Sequence, residues 1–153
     1  MKYKQFIKNL DELKKHLIII KQHINFFSKV YEYPLNSENI SDIVNNQVEK
    51  LDSLAYRFLK LQDTLGKTLK LYFSLKEENT DNLTMLDILN LAEKVGFSIS
   101  VTKWRELREL RNILSYEYED NYDKIANSIN YIADNINFLE TIVKEIEEKF
   151  WEY

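Results

Sequence analysis

The chain contains no cysteine, and its 153 residues include only one proline and two glycines. Without cysteine, disulfides and thiolate metal sites are excluded, and a reducing compartment is permitted. The scarcity of glycine and proline argues against turn-rich β structure and favours long helices. The longest aliphatic run, 17-LIII-20, is far too short to cross a bilayer. The N-terminus lacks the apolar stretch of a signal peptide, so we expect a cytoplasmic protein with no membrane contact.

Basic residues are outnumbered by acidic ones, 21 against 25, and the net charge is −4. A protein that holds duplex nucleic acid mainly by charge is expected to be basic, so any RNA contact here must be local. Hydrophobic residues make up 44 % of the chain and aromatic residues 13 %, which supplies enough apolar surface for a core. The length suits a single domain over residues 1–153.

The spacing of apolar residues predicts two long helices in the first half of the chain. Over residues 3–31, large apolar side chains recur in alternating steps of three and four, which places them on one helix face. A second helical pattern runs to about residue 72, and Asn39 or Ser41 can cap its start. Gly66 lies inside this second helix, where a close helix contact or a slight kink would explain it.

Three further helices are expected in the second half. Thr84 and Asp87 have the spacing of a capping box, and Gly96 has the position of a left-handed helix stop, which together bound a short third helix. A fourth helix is predicted over about 102–118. A fifth begins near Asn121, and its apolar side chains recur in the same steps of three and four from Tyr122 to Phe150. We therefore predict an all-α protein, an antiparallel bundle of four to five helices. Its long aromatic-rich faces make pairing with a second copy plausible.

The segment 105-RELRELRNILSYEYED-120 is the one stretch that indicates chemistry. At about 100° per residue, Arg111 lies beside the apolar stripe of this helix, which consists of Leu107, Leu110 and Leu114. Tyr116 lies roughly 140° around the helix from Arg111. The two side chains can meet at one atom only if the helix end deforms or a second subunit supplies one of them. The simpler interpretation is that Arg111 pairs with a carboxylate, such as Glu109 or one on a neighbouring helix, and that the tyrosines pack at the helix end.

The run 111-RNILSYEY-118 resembles the signature of HEPN domains, in which Arg-Asn is followed after three residues by His and often two places later by Tyr. Arg111, Asn112, Leu114 and Tyr118 match that pattern. The resemblance extends loosely from about Asp52 to about Asp123, where the order of a long helix, a loop, a short helix and the signature helix is similar to that of small bacterial HEPN proteins.

The resemblance implies a HEPN-like bundle and a specific activity. Active HEPN proteins are metal-independent ribonucleases without a cofactor, and their arginine and histidine line a cleft between two identical subunits. It follows that Arg111 would bind RNA phosphate and Asn112 would orient the site, with Arg108 as a second RNA contact because it faces near Arg111. In paired systems a minimal nucleotidyltransferase acts as the antitoxin and adds AMP to the tyrosine that corresponds to Tyr118.

Tyr116 occupies the position where the family has its histidine. A phenol has a pKa near 10 and an imidazole near 6.5, so an unperturbed tyrosine is a poor general base at neutral pH. The leading hypothesis is a toxin-like component of a toxin–antitoxin module, directed at RNA, with weakened or lost ribonuclease activity. The alternative is a non-catalytic subunit that docks a nucleotidyltransferase and presents substrate to it. A helical interaction module unrelated to HEPN domains is a third possibility.

His16 and His23 share one face of the first helix, seven residues apart. Glu12 precedes His16 by one turn, but a metal site needs more ligands than these, so we expect hydrogen-bonded or solvent-edge histidines and no metal. Arg105 belongs to a basic ridge beside the signature, in which glutamates alternate with the cations, and we expect it to form solvated ion pairs.

Overall fold

The structure, a computed structural model, describes residues 1–76, 79–116 and 121–152. The described residues form six α-helices and no strand. The helices are α1 (Lys2–Val30), α2 (Ser37–Asn46), α3 (Val48–Leu75), α4 (Met85–Lys94), α5 (Val101–Tyr116) and α6 (Tyr122–Phe150). The prediction of an all-α bundle is confirmed. Within the described ranges, no helix combines the length and the apolar character needed to cross a membrane.

Helix α1 runs antiparallel to α3 and to α6, and α5 runs antiparallel to α6, as the polar contacts between them show. Lys2 Nζ at the start of α1 donates to Ser74 Oγ near the end of α3, at 2.6 Å. Lys21 of α1 pairs with Glu140 of α6 at 3.2 Å, and Lys14 of α1 pairs with Glu147, two turns further along α6. Lys103 of α5 donates to Asn135 of α6 at 2.9 Å. Helix α1 packs against both α3 and α6, and α5 packs against the same two helices.

One hydrophobic core receives side chains from all six helices. The face predicted for the first helix is buried between Phe6 and Phe27, and the face predicted for the last helix is buried between Ile125 and Ile146. The buried residues of the first face are Phe6, Leu10, Leu13, Leu17, Ile20, Ile24 and Phe27. The period of three and four residues therefore identified the core side of both helices correctly.

Three predicted helix ends are confirmed by their hydrogen bonds. Thr84 Oγ1 accepts from the backbone N–H of Asp87 at 3.2 Å, and the Asp87 carboxylate accepts from the backbone N–H of Thr84 at 3.0 Å. Gly96 follows α4 with a φ of +94°, which a side chain would strain. Asn121 Oδ1 caps α6 by accepting from the N–H of Lys124.

The prediction of one second helix is wrong, because the chain forms two helices, α2 and α3, in that part of the sequence. The cap is Asn36, whose side chain accepts from the Asn39 N–H at 2.9 Å, so neither Asn39 nor Ser41 starts the helix. Asn39 is instead the third residue of the helix, and its Oδ1 accepts from the backbone N–H of Asn36 at 3.0 Å. The helix then breaks at Gln47, which has φ −138° and ψ 33°.

Gly66 lies where Trp104 of α5 packs against α3. A Cβ atom at this position would be 3.2 Å from Cη2 of Trp104, which is tighter than ordinary van der Waals contact. Trp104 itself is buried in the core. The close helix contact expected for this glycine is therefore present, and it fixes which residues of α3 lie opposite α5.

Candidate functional site

The signature helix α5 packs on the bundle through the predicted stripe. Leu107, Leu110 and Leu114 are buried, and Trp104 extends the same stripe by one turn. Arg111 lies beside this stripe and is half-buried. α5 packs with this face toward the bundle because it is the apolar face of the helix. The Arg111 guanidinium therefore lies at the edge of the contact with α3.

The partner of Arg111 is Asp63 of α3. Arg111 Nη2 is 3.4 Å from Asp63 Oδ1, and the two side chains are 31 % and 38 % exposed. This distance is longer than a good charge-assisted hydrogen bond of about 2.7–2.9 Å. An exposed pair of this kind contributes about 0–1 kcal/mol. The pair therefore lies at the surface and is weak enough for another anion to compete with Asp63.

Arg111 also has an unsatisfied donor. Among the side chains that the structure describes, the Nε of Arg111 is buried and has no hydrogen-bond partner. A buried donor without an acceptor is rare in folded proteins and costs about 1–3 kcal/mol. The surroundings therefore do not satisfy this guanidinium fully, which is unusual for an arginine that serves packing alone.

The other predicted site residues are only partly brought together. Asn112 and Arg108 are exposed on α5, and Arg108 has no carboxylate within 4.0 Å in the part of the chain that is described. Tyr116 is the last residue of α5, and its side chain lies outside the described residues. Tyr118, the expected nucleotidyl acceptor, also lies outside them.

The histidines lie on α1 and contact α3 at residues other than the Asp63 that pairs with Arg111. His16 Nδ1 is 3.2 Å from the guanidinium of Arg57, and His23 Nε2 is 2.9 Å from Ser53 Oγ. Burial and then the nearby Arg57 lower the pKa of His16, and burial followed by Lys50 lowers the pKa of His23. Both side chains are hydrogen-bonded, as expected. Within the described ranges, no cluster of three or more His, Asp or Glu side chains could hold a metal ion.

The sequence prediction missed the face of α3 that borders Arg111. Tyr56, Arg57, Lys60 and Asp63 follow each other at helical spacing on this helix, and Tyr56 is 55 % exposed. The signal was present in the sequence, since cations at steps of three and seven share a helix face. It was overlooked because the apolar side of the same helix dominated the pattern.

Comparison of the chain with models of protein families, with curated proteins and with solved structures gives no match. The class of protein that the structure defines is thus an all-α bundle with a surface arginine on its fifth helix.

Proposed function

We propose that the chain is an RNA-directed protein of the HEPN type, the toxin-like half of a toxin–antitoxin module, with weak or no ribonuclease activity. The observation that carries the proposal is the state of Arg111. Its side chain is 31 % exposed, its ion pair with Asp63 is long, and its buried Nε lacks an acceptor among the described residues. A phosphate group offers several strong acceptor oxygens and a charge that would compete with Asp63 for this arginine.

The proposed chemistry is transesterification within RNA. The 2′-oxygen forms a bond to the adjacent phosphorus as the bond from phosphorus to the 5′-oxygen breaks. A base accepts the proton of the 2′-hydroxyl, and an acid protonates the leaving 5′-oxygen. Arg111 supplies charge stabilisation, with Arg108 as a second phosphate contact and Asn112 as an orienting side chain.

Tyr116 is the reason for expecting weak activity. Its unperturbed phenol would be ionised in roughly one molecule per thousand at neutral pH, so it transfers protons poorly. Positions 111 and 116 are roughly 140° apart on a regular helix, so a site that uses both needs either a deformed helix end or two copies of the chain, and we propose the second. A homodimer is therefore part of the proposal. A minimal nucleotidyltransferase is the partner class that the resemblance implies, with Tyr118 as the acceptor of AMP.

Restoring the histidine tests this function. We expect the purified wild-type chain to cut single-stranded RNA slowly or not at all, and Tyr116→His to cut it about 10²–10⁴ times faster, the usual contribution of general acid–base catalysis. Adding Arg111→Ala to Tyr116→His should remove the gain, whereas adding Arg105→Ala, an exposed cation of the same helix, should leave it.

Two results would contradict the proposal. If Tyr116→His gains no cleavage, the family assignment fails. If the wild-type chain cuts RNA rapidly and loses this activity on Arg111→Ala, the expectation of weak activity is wrong.

A further inference from the structure

The exposed side of α3 between α1 and α5 carries an unusual set of side chains. At 100° per residue, they lie within an arc of about 140° and extend about 21 Å along the helix. The set, which we name the α3 cationic face, consists of Tyr56, Arg57, Lys60, Asp63, Lys67 and Lys70. Its α1 edge is marked by the contact of Arg57 with His16, and its α5 edge by the contact of Asp63 with Arg111.

The charge of this face is opposite to that of the whole chain. It holds four cations and one carboxylate, whereas the chain as a whole has a net charge of −4. The one carboxylate, Asp63, is the residue that Arg111 neutralises from α5. Arg111 therefore supplies a positive charge beside Asp63, in the interval between Lys60 and Lys67 where α3 itself has no cation. An anionic polymer that follows α3 would meet positive charge at nearly every turn.

Tyr56 gives this face a second kind of recognition. Its ring is 55 % exposed, and the charged groups of Arg57 and Lys60 lie over it, 5.9 Å and 5.6 Å from its centroid, so a base that stacks there would take the place of one of these cations. An aromatic ring flanked by cations is the combination with which proteins bind single-stranded nucleic acid, because bases stack on the ring and phosphates pair with the charges. Burying the ring beneath a base would also remove exposed apolar surface from water.

We infer that the α3 cationic face binds single-stranded RNA, with an unpaired base stacked on Tyr56 and the phosphates following Arg57, Lys60, Lys67 and Lys70 past Arg111, which lies beside Asp63 between Lys60 and Lys67. This inference rests on the proposed function, since it extends the substrate contact of Arg111 onto α3. A duplex fits the same face less well, because its bases are already stacked on each other and cannot reach the ring.

Fluorescence anisotropy with a labelled single-stranded RNA of about 12 nucleotides tests the inference, since sites of this kind span about 4–16 nucleotides. We expect Tyr56→Ala to weaken binding about tenfold or more, and Tyr56→Phe to bind like the wild type because it keeps the ring. Lys60→Ala should weaken binding about threefold at low salt. Lys144→Ala is the matched control: it removes the same charge from α6, where the Lys144 side chain is 75 % exposed, and should change nothing.

The results separate this inference from the proposed function. If Arg111→Ala weakens binding while Tyr56→Ala and Lys60→Ala bind like the wild type, the α3 cationic face is not the RNA site, and the role of Arg111 stands. If the same RNA in a duplex binds as tightly as the single strand, stacking on Tyr56 is wrong. If the wild-type chain binds no RNA, both ideas fail.

Discussion

His16 is a buried imidazole held beside a permanent cation. The guanidinium of Arg57 can only donate, so Nδ1 of His16 must accept, and the ring is neutral with its proton on Nε2. Protonation would remove this acceptor and place two positive charges together. Burial, followed by Arg57 and the nearby lysines and opposed by Glu12, therefore lowers the pKa of His16 below its ordinary value of 6.5.

This shift predicts a loss of stability in acid. Between the lowered folded pKa and the unfolded pKa of about 6.5, the unfolded chain binds more protons, so the free energy of unfolding rises with pH. The contribution of His16 is complete above about pH 6.5 and is lost as the pH falls through the folded pKa. Urea unfolding of His16→Gln, which keeps an acceptor without titrating, should show a flatter profile between pH 5 and 7 than the wild type.

His23 is the comparison for this measurement. Its partner Ser53 can donate or accept, so a charged His23 keeps its hydrogen bond, and His23→Gln should flatten the profile less. Equal slopes for the wild type and His16→Gln would show that the contact with Arg57 does not control the pH dependence.

The position of Arg111 was predictable from the sequence, but its ion-pair partner Asp63 was not. The apolar stripe of α5 fixes the rotation of the helix, so the sequence alone placed Arg111 at the edge of the buried face. Asp63 lies 48 positions earlier, and its place opposite Arg111 depends on how far α3 slides along α5. The contact of Trp104 with Gly66 sets the position of α5 along α3. A single sequence does not show that Trp104 and Gly66 are in contact.

Among the helices, the break between α2 and α3 at Gln47 could not be predicted from the local spacing of apolar residues. Neither glycine nor proline is present there, and the apolar spacing of Ile43, Val44, Val48 and Leu51 continues across it, although Asn45 and Asn46 are weak helix formers. Tertiary contacts decide instead, because α2 packs against α6. The amide of Asn130 in α6 accepts from the backbone N–H of Leu35 at 2.7 Å and donates to its carbonyl at 2.9 Å. One side chain thus satisfies both backbone groups of a buried residue just before α2.

This arrangement predicts a large effect of a single amide. Asn130→Ala would leave two backbone groups of Leu35 without partners, and a buried unsatisfied group costs about 1–3 kcal/mol. We expect Asn130→Ala to lower the free energy of unfolding by about 2–4 kcal/mol in urea titrations. Asn127→Ala, at an exposed position one turn earlier on α6, is the matched control and should change it by less than about 0.5 kcal/mol. Similar losses for the two variants would mean that α2 is not anchored through Asn130.

For the whole molecule, the helix-spacing rules were sufficient to predict the class of fold. Long apolar faces, few helix breakers and residues suited to helix caps together predict a helical bundle. The structure has the long helices and the buried apolar faces that these features predict. The candidate site was less predictable, because it joins α3 to α5 across the surface. Charge along one helix can be read from a sequence, but which charges of two helices meet depends on their packing.

The acidic balance of the whole chain predicts how RNA binding should depend on salt. With a net charge of −4, no general positive field assists binding, so only the local cations of α3 and α5 release counterions from RNA. Contacts with about four phosphates would give a slope of about −3 for the logarithm of the binding constant against that of the salt concentration, since a single strand releases about 0.7 counterion per phosphate. Lys60→Ala should make the slope less negative by about 0.7. The α6 variant Lys144→Ala should keep the wild-type slope. Anisotropy titrations at several salt concentrations measure these values, and a slope near zero, or one steeper than about −6, would mean that RNA does not bind through this small set of cations.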